Sequence, residues 1–459
     1  MNRTTKIIYY LCLFFAFSYV LIRGFTVGMT HDEALTYKII QGDEVLKGTA
    51  NHHWLNTHLS ALSSHLFGAK EFALRLPNIL SFGIFWFFLF RIAKTFLKSS
   101  ATQLALLLLL CGNPFILDFF SLCRGYGLSI AFVTASLFYV FRMAALRKDS
   151  KPIHYFCGFI FAVLALSANL NTLNYFLIAL ALMVFSLLVF KPKNRIVLLA
   201  VLLFLSGIIL YFSLNQLFFL RDKNELYFGT DNIHTTIDNL ICSGFYSRFG
   251  FKHVDILRYL LYGLILLAGF RMVRKRLFFT PGTFAFIILI GIFTALIAEH
   301  LLFESLYPIN RSSLYLYPVM LLAFLMNIEP LKFKVIRVLI IVCSVSFILV
   351  NIPFYNFKTT MTWSEDQDLK AAMLSIRDDI QDTSIHIAEC TWLYEPVINY
   401  YRLEYEVPIQ QVFREDIKFE GEYILFQTVL VQIKDYSILK DYSRNSSLVV
   451  YKRKLNAAN

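Results

Sequence analysis

The sequence predicts a polytopic, all-α membrane protein of about eleven transmembrane helices, closed by a small C-terminal α/β domain. Three observations carry that prediction. Hydrophobic residues make up 57% of the 459, phenylalanine alone occurs 47 times and only 16% are charged, far from the balance of a soluble domain. Apolar runs of the roughly 20 residues that a spanning helix needs recur up to residue 352 and then stop. The net charge of +12 would point to nucleic acid in a soluble chain, but here the basic residues fall in short loops between apolar runs, and no nucleic-acid partner is expected.

Eleven segments qualify as spans, at about 7–23, 78–97, 101–119, 125–145, 153–169, 173–190, 195–219, 256–272, 281–302, 311–327 and 335–352. The first follows Met1-Asn2-Arg3-Thr4-Thr5-Lys6 and has no small-residue cleavage site before the next polar stretch, so it reads as a retained signal anchor with a cytoplasmic N-terminus. Alternate loops give the same orientation. Arg91, Lys94 and Lys98, then Arg142, Arg147, Lys148 and Lys151, then Lys191, Lys193 and Arg195, then Arg271, Arg274, Lys275 and Arg276, and last Lys332, Lys334 and Arg337 would all lie inside, with only Asp149 and Glu329 as acidic company. An odd number of spans puts the tail outside, in a multi-pass protein of the cell (inner) membrane.

Two domains are expected: 1–352, with outer loops 24–77 and 220–255, and an extracytoplasmic domain over 353–459. In the tail, Glu365 to Gln381 reads as an amphipathic helix, Ser384 to Ala388 as a strand, Leu393 to Arg402 as a helix and Tyr423 to Leu430 as a strand. Tyr394, Tyr400 and Tyr401 fall at helical spacing and read as core. Seven cysteines leave the redox question open; of the three outside spans, Cys123, Cys242 and Cys390, two could pair.

The first outer loop holds the chemistry. Thr30-His31-Asp32-Glu33 has the form of a capping box, and the helix it starts is one that Gly42 can end. The helix dipole favours negative charge at that end, so Asp32 is a standing carboxylate able to accept a proton from a hydroxyl or to hold a cation. From Trp54 the loop turns amphipathic, with Leu55, Leu59, Leu62 and Leu66 on one stripe that Gly68 stops. Such a helix, leading into the second span, is expected along the membrane surface.

A carboxylate pair after the first span, the amphipathic segment, then Glu71-Phe72-Ala73-Leu74-Arg75-Leu76-Pro77-Asn78 resemble the first loop of the GT-C membrane glycosyltransferases. The protein O-mannosyltransferases and the lipid A aminoarabinose transferase are the relatives most similar in pattern. Arg124-Gly125-Tyr126-Gly127 and Tyr307-Pro308-Ile309-Asn310-Arg311 agree, and the match covers roughly residues 1–350. One departure is plain: the aminoarabinose transferases carry Lys-Pro-Pro late in this loop, where this chain has Asn51-His52-His53-Trp54, so that lysine's role does not carry over.

The resemblance implies an inverting transfer of sugar from a polyprenyl-phosphate donor to a cell-envelope acceptor, lipid, glycan or protein, with membrane lipid around the site. It makes Asp32 the base and Glu33 a second, positioning carboxylate. The leaving phosphate needs preorganised positive charge, for which Arg311 and then Arg124 are the candidates. Each has a plain alternative, a snorkelling anchor for Arg311 and ordinary helix packing beside Gly125 and Gly127 for Arg124. His31, His53, Glu299 and His300 are further cavity candidates, since ionisable residues at membrane depth are functional by default. No cofactor is required; a divalent metal is a candidate through Asp32 with His31, His52, His53 and His58, although no two of these share a ligand spacing on one helix. Arg75 reads as structural, paired with Glu71 at a four-residue step.

The competing class is a transporter or flippase of lipid-linked sugars, which would place charge at mid-membrane and often show two related halves. This chain keeps its charge in loops and shows no repeated half. A catalytically inactive scaffold is the third reading, against which Asp32, Glu33 and Arg311 speak.

Overall fold

The structure, a computed structural model, describes residues 1–247, 254–329, 333–427 and 433–454. All eleven apolar segments fall on helices, but their lengths correct the expected count. Eight helices among the described residues are long and apolar enough to cross a membrane. The third segment is two helices, Ser100–Cys111 and Pro114–Phe120, meeting at 59° and bringing the total to at most nine. Gly112-Asn113-Pro114 accounts for the break, because Asn113 Oδ1 caps the Phe115 and Ile116 N–H groups while Pro114 starts the new helix. The remaining two, Pro152–Ala168 and Leu316–Ile328, are apolar but run only 17 and 13 residues.

The chain divides into two compact units. One comprises Met1–Leu21, Gly48–Asn56 and Pro77–Tyr355; the other comprises Ile22–Lys47, Thr57–Leu76 and Asn356–Asn459. The domain boundary read from the sequence lies beside Tyr355, yet the tail's unit also takes in most of the first outer loop.

In the membrane unit, Gly125–Leu146 is the buried centre. Gly125 and Gly127 matter there, since a Cβ on the first would overlap the Ala168 carbonyl and on the second the Phe119 carbonyl. Arg195–Asp222 and Val254–Arg274 instead face outward along nearly their whole length, the burial expected of helices solvated by lipid. At the end predicted to be cytoplasmic, Glu329 Oε1 accepts the Lys98 and Ser99 N–H groups at 3.0 and 2.7 Å, which explains one acidic residue among those basic loops.

The second unit contains a four-stranded sheet in the order β1-β2-β4-β3, with β1 Ala388–Cys390, β2 Tyr423–Gln427, β3 Tyr436–Tyr442 and β4 Leu448–Arg453. The β1–β2 pair is parallel and the others antiparallel, with a bulge near Ile438 and Lys440. The strand expected at Ser384–Ala388 instead runs Ala388–Cys390, sharing only Ala388 with that reading, and the one expected to reach Leu430 is described only to Gln427, its last three residues lying outside the described residues. β3 and β4 were not legible. The helix expected from Glu365 is split into a 3-10 turn, Ser364–Asp366, and a helix, Leu369–Asp379. The second tail helix runs Glu395–Glu404, with Pro396 in its first turn. Tyr394, Tyr400 and Tyr401 are core, as expected. No disulfide links the described cysteines.

Candidate active site

The helix His31–Ile40 forms as the capping pattern requires, and Gly42 ends it at φ 103°. Glu33 Oε2 accepts both the N–H and the hydroxyl of Thr30, each at 3.1 Å. The same carboxylate is held by Arg75, which the sequence had paired with Glu71. Arg75 Nε and Nη2 reach the two Glu33 oxygens at 2.8 and 2.7 Å, and both side chains are fully buried. The remaining guanidinium protons go to the carbonyls of Gly24, Val27 and Gly28. This fork geometry is available to arginine and not to lysine. Glu71 has other partners, Lys370 Nζ at 2.9 Å and the Tyr401 hydroxyl at 3.3 Å, while that tyrosine oxygen accepts the Met29 N–H at 2.6 Å.

One residue earlier, Asp32 is 5% exposed, and its backbone carbonyl accepts the Thr36 hydroxyl. Its neighbour His31 is tied on every side. The His31 N–H donates to Asp366 Oδ2 at 2.6 Å, and the ring Nδ1 donates to the Leu393 carbonyl at 2.6 Å. A neutral ring protonated at Nδ1 offers a lone pair at Nε2, which is where Arg414 Nη2 arrives at 3.3 Å. Burial pushes the His31 pKa down and favours that neutral form. Arg414 and Lys38 in turn meet Glu395, at 3.3 and 2.5 Å, and the Trp392 ring lies edge-on to His31 with centroids 6.2 Å apart.

Asp366 was missed by sequence reasoning. It is 2% exposed, burial pushes its carboxyl well above the ordinary carboxylate range, and the nearby Glu365, Asp32 and Glu33 charges push the same way against the His31 hydrogen bond. The signal that could have found it is weak, one acid among Glu365, Asp366 and Asp368 in an exposed-looking stretch. Among the described residues no group of three or more histidines, cysteines and carboxylates is placed to hold a metal ion, and both His31 ring nitrogens already have protein partners.

The membrane unit holds the other candidates. Arg124, 1% exposed, donates to the Asn51 carbonyl at 3.3 Å and the Asn51 side-chain oxygen at 3.2 Å. His53 Nδ1 faces the Ala168 carbonyl at 3.1 Å, and its ring packs on Tyr126 with centroids 4.9 Å apart. Arg311, half-buried in the 3-10 turn Asn310–Ser313, lies 4.6 Å from the Phe228 ring centroid. The second outer loop is tied to this stretch, because Thr230 and Tyr307 exchange backbone hydrogen bonds and Asn239 Oδ1 accepts the Asn310 N–H. His300 stacks near Tyr307 at 4.5 Å and meets the Ser305 carbonyl at 2.8 Å, whereas Glu299 takes a separate partner, Asn174 at 3.0 Å. Thus Arg124 and His53 are gathered around Tyr126, whereas His300 lies against Tyr307 and Arg311 against Phe228. Asp118 was also missed: a 2%-exposed acid in the run Pro114–Phe120, its Oδ2 accepting the Tyr246 hydroxyl at 2.8 Å. A lone acid in an apolar run is a signal that could have found it.

Two comparisons with known proteins find matches, one to part of the sequence and one to the fold. The family model for dolichyl-phosphate-mannose-protein mannosyltransferases matches residues 52–213. Among solved structures the chain is similar to ArnT from Cupriavidus metallidurans in the apo state, with a TM-score of 0.56, 12% identity and 98% of each chain covered. It is also similar to ArnT from that organism bound to undecaprenyl phosphate, with a TM-score of 0.54, 12% identity and 100% of each chain covered. At that identity the structural likeness is one of fold. No curated protein matches the sequence. The family match, over residues 52–213, and the likeness of fold are in accord with the glycosyltransferase resemblance read from the first loop.

Proposed function

We propose that this protein is an inverting glycosyltransferase that moves a sugar from a polyprenyl-phosphate donor to a cell-envelope acceptor at the outer face of its membrane, with an extracytoplasmic tail. The observation that carries this is the charge balance at the N-terminus of the helix His31–Ile40. Arg75 holds Glu33 in a buried structural ion pair, and we assign the base to Asp32, the carboxylate beside it on the same helix turn. The acceptor hydroxyl attacks the anomeric carbon and gives its proton to Asp32. The bond from that carbon to the phosphate oxygen breaks, and its electron pair leaves with the polyprenyl phosphate. Arg311 supplies positive charge to the leaving phosphate; Arg124, buried against Asn51, shapes the loop that carries His53.

The helix Trp54–Phe67 supports a site at the lipid boundary, because its amphipathicity is inverted. Asn56, Thr57, Ser60 and Ser63 are buried, while Trp54, Leu62, Leu66 and Phe67 are each more than half exposed. An apolar face turned outward suits the headgroup region, where a lipid-linked donor would arrive. Undecaprenyl phosphate serves as the probe of donor class: it should raise the Tm of the purified protein in a concentration-dependent way, and undecaprenol should not. Equal shifts from both lipids, or none from either, contradict a phosphate-headed donor.

A further inference from the structure

An apolar groove runs along the membrane unit between the helices Val254–Arg274, Pro281–Phe303 and Leu316–Ile328, and Arg271 stands at its end. Leu264 and Ala268 form one wall, Phe286 the second and Ala323 the third. From Leu261 to Arg271 the groove follows about ten residues of one helix, or about 15 Å, which is half of the roughly 30 Å hydrocarbon core and so the depth of one leaflet. Val254–Arg274 faces outward along nearly its whole length, and the groove opens to lipid.

The polar end is built from Arg271 and Asn327. Arg271 Nη1 donates to the Asn327 carbonyl at 2.6 Å, while the Asn327 side-chain amide donates to the Gly282 and Ala323 carbonyls at 2.9 and 2.8 Å. A snorkelling arginine extends its guanidinium to water. This one is turned back onto the neighbouring helix, and its Nε is buried with no hydrogen-bond partner among the described residues. Glu329, the acid next to Asn327 in sequence, is turned instead to the Lys98 and Ser99 N–H groups. The Nε–Nη2 edge left to Arg271 is one that grips two oxygens of a single phosphate. Arg274, Lys275 and Arg276 follow directly on the same chain and make this end of the groove strongly basic.

We propose that the groove is a phospholipid site, in which one acyl chain of an anionic glycerophospholipid lies against Leu264, Ala268, Phe286 and Ala323 and the phosphate is held by Arg271. Charge complementarity selects that occupant, and a phosphate at this place gives the buried Nε its missing partner. The end that carries Arg271 is the one predicted to be cytoplasmic, where basic residues beside a span attract anionic lipids. In the glycosyltransferase reading the lipid-linked donor is used at the opposite face, so this lipid is a resident part of the fold and no substrate.

The test is the Tm of the full-length protein in a neutral detergent, titrated with dioleoyl phosphatidylglycerol, dioleoyl phosphatidylcholine, inorganic phosphate or undecaprenyl phosphate. Phosphatidylglycerol should raise the Tm of wild type, and phosphatidylcholine and inorganic phosphate should do so far less. Arg271→Gln removes the charged bonds to the phosphate and should weaken the apparent phosphatidylglycerol affinity about tenfold. Ala268→Trp keeps the arginine, fills the groove from a half-buried position and should abolish the shift, so the test stands if either variant folds poorly. Native mass spectrometry should find a phosphatidylglycerol adduct on wild type that both variants lose. Any shift from undecaprenyl phosphate belongs to the donor site and should be the same in all three forms, whatever becomes of the transferase reading. Equal shifts from phosphatidylglycerol and phosphatidylcholine overturn the anionic headgroup, and equal phosphatidylglycerol affinity in wild type and Arg271→Gln overturns the role of the arginine. Three further results each overturn the proposal by naming another occupant. An undecaprenyl phosphate shift that both variants lose means the donor, a full shift from inorganic phosphate means a free anion, and a wild-type dimer that Ala268→Trp splits means a second copy of the chain.

Discussion

Glu33 and Arg75, 42 residues apart in sequence, form a bidentate ion pair with both side chains fully excluded from solvent. Arg75 also gathers the carbonyls of Gly24, Val27 and Gly28, so it fixes the turn that leads from the first helix to Asp32. Breaking one side of such a pair leaves an uncompensated buried charge, a loss of about 3–5 kcal/mol. Arg75→Gln and Glu33→Gln are each expected to lower the Tm of the purified protein markedly. In a double-mutant cycle the combined loss should be smaller than the sum of the two. Additive losses would mean that the two residues stabilise the loop independently.

Arg311 is expected to act on the donor. Arg311→Ala removes a charged hydrogen-bond donor, a change of about 1.5–3 kcal/mol, and should raise the KM for the polyprenyl-phosphate donor roughly tenfold or more with a smaller effect on the acceptor KM. An unchanged donor KM would take the phosphate role away from Arg311 and leave it a membrane-boundary anchor.

The tail has its own proton-dependent clasp. His386 bridges two carboxylates, with Nε2 at 2.9 Å from Asp382 Oδ1 and Nδ1 bonded to Glu422 Oε2. These bonds raise the His386 pKa, the Glu422 bond most, and Asp382 is pushed down to about 2 by its bonds to Ser384 and His386. For a histidine whose pKa is raised by folding, the stabilisation is fully present below the unfolded value of about 6.5 and is lost as pH rises through the folded value. The Tm of wild type should therefore fall across that window more than the Tm of His386→Gln. Parallel pH profiles would show that the clasp contributes nothing.

How much of this was legible follows the range of each signal. The capping pattern at Thr30 and Glu33 and the stop at Gly42 are local, and the structure forms them as written. The leucine stripe from Trp54 was equally readable, although it takes a fold to show that the polar face is the buried one. The partner of Arg75 was misread because spacing along a helix favours Glu71, whereas the fold brings in Glu33 from before the amphipathic segment. Asp366 and Arg414 escaped altogether, since they approach His31 from 335 and 383 residues away. β4 was lost to a different cause: Leu448-Val449-Val450-Tyr451 is a buried strand without polar alternation, and short apolar runs of that kind carry no period of their own.

In the proposed function Asp32 accepts the acceptor's proton in a sugar transfer at the membrane surface. The most direct measurement is mass spectrometry of cell-envelope glycans and polyprenyl-phosphate sugars in a deletion strain and in strains restored with wild-type or Asp32→Asn protein. The substitution keeps volume while removing the base, so transfer should fall by about 10²–10⁴-fold. A sugar missing from the envelope, with its lipid-linked donor accumulating and rescue by wild type alone, is the predicted result. Full rescue by Asp32→Asn would contradict the account and return the protein to the transporter or scaffold readings.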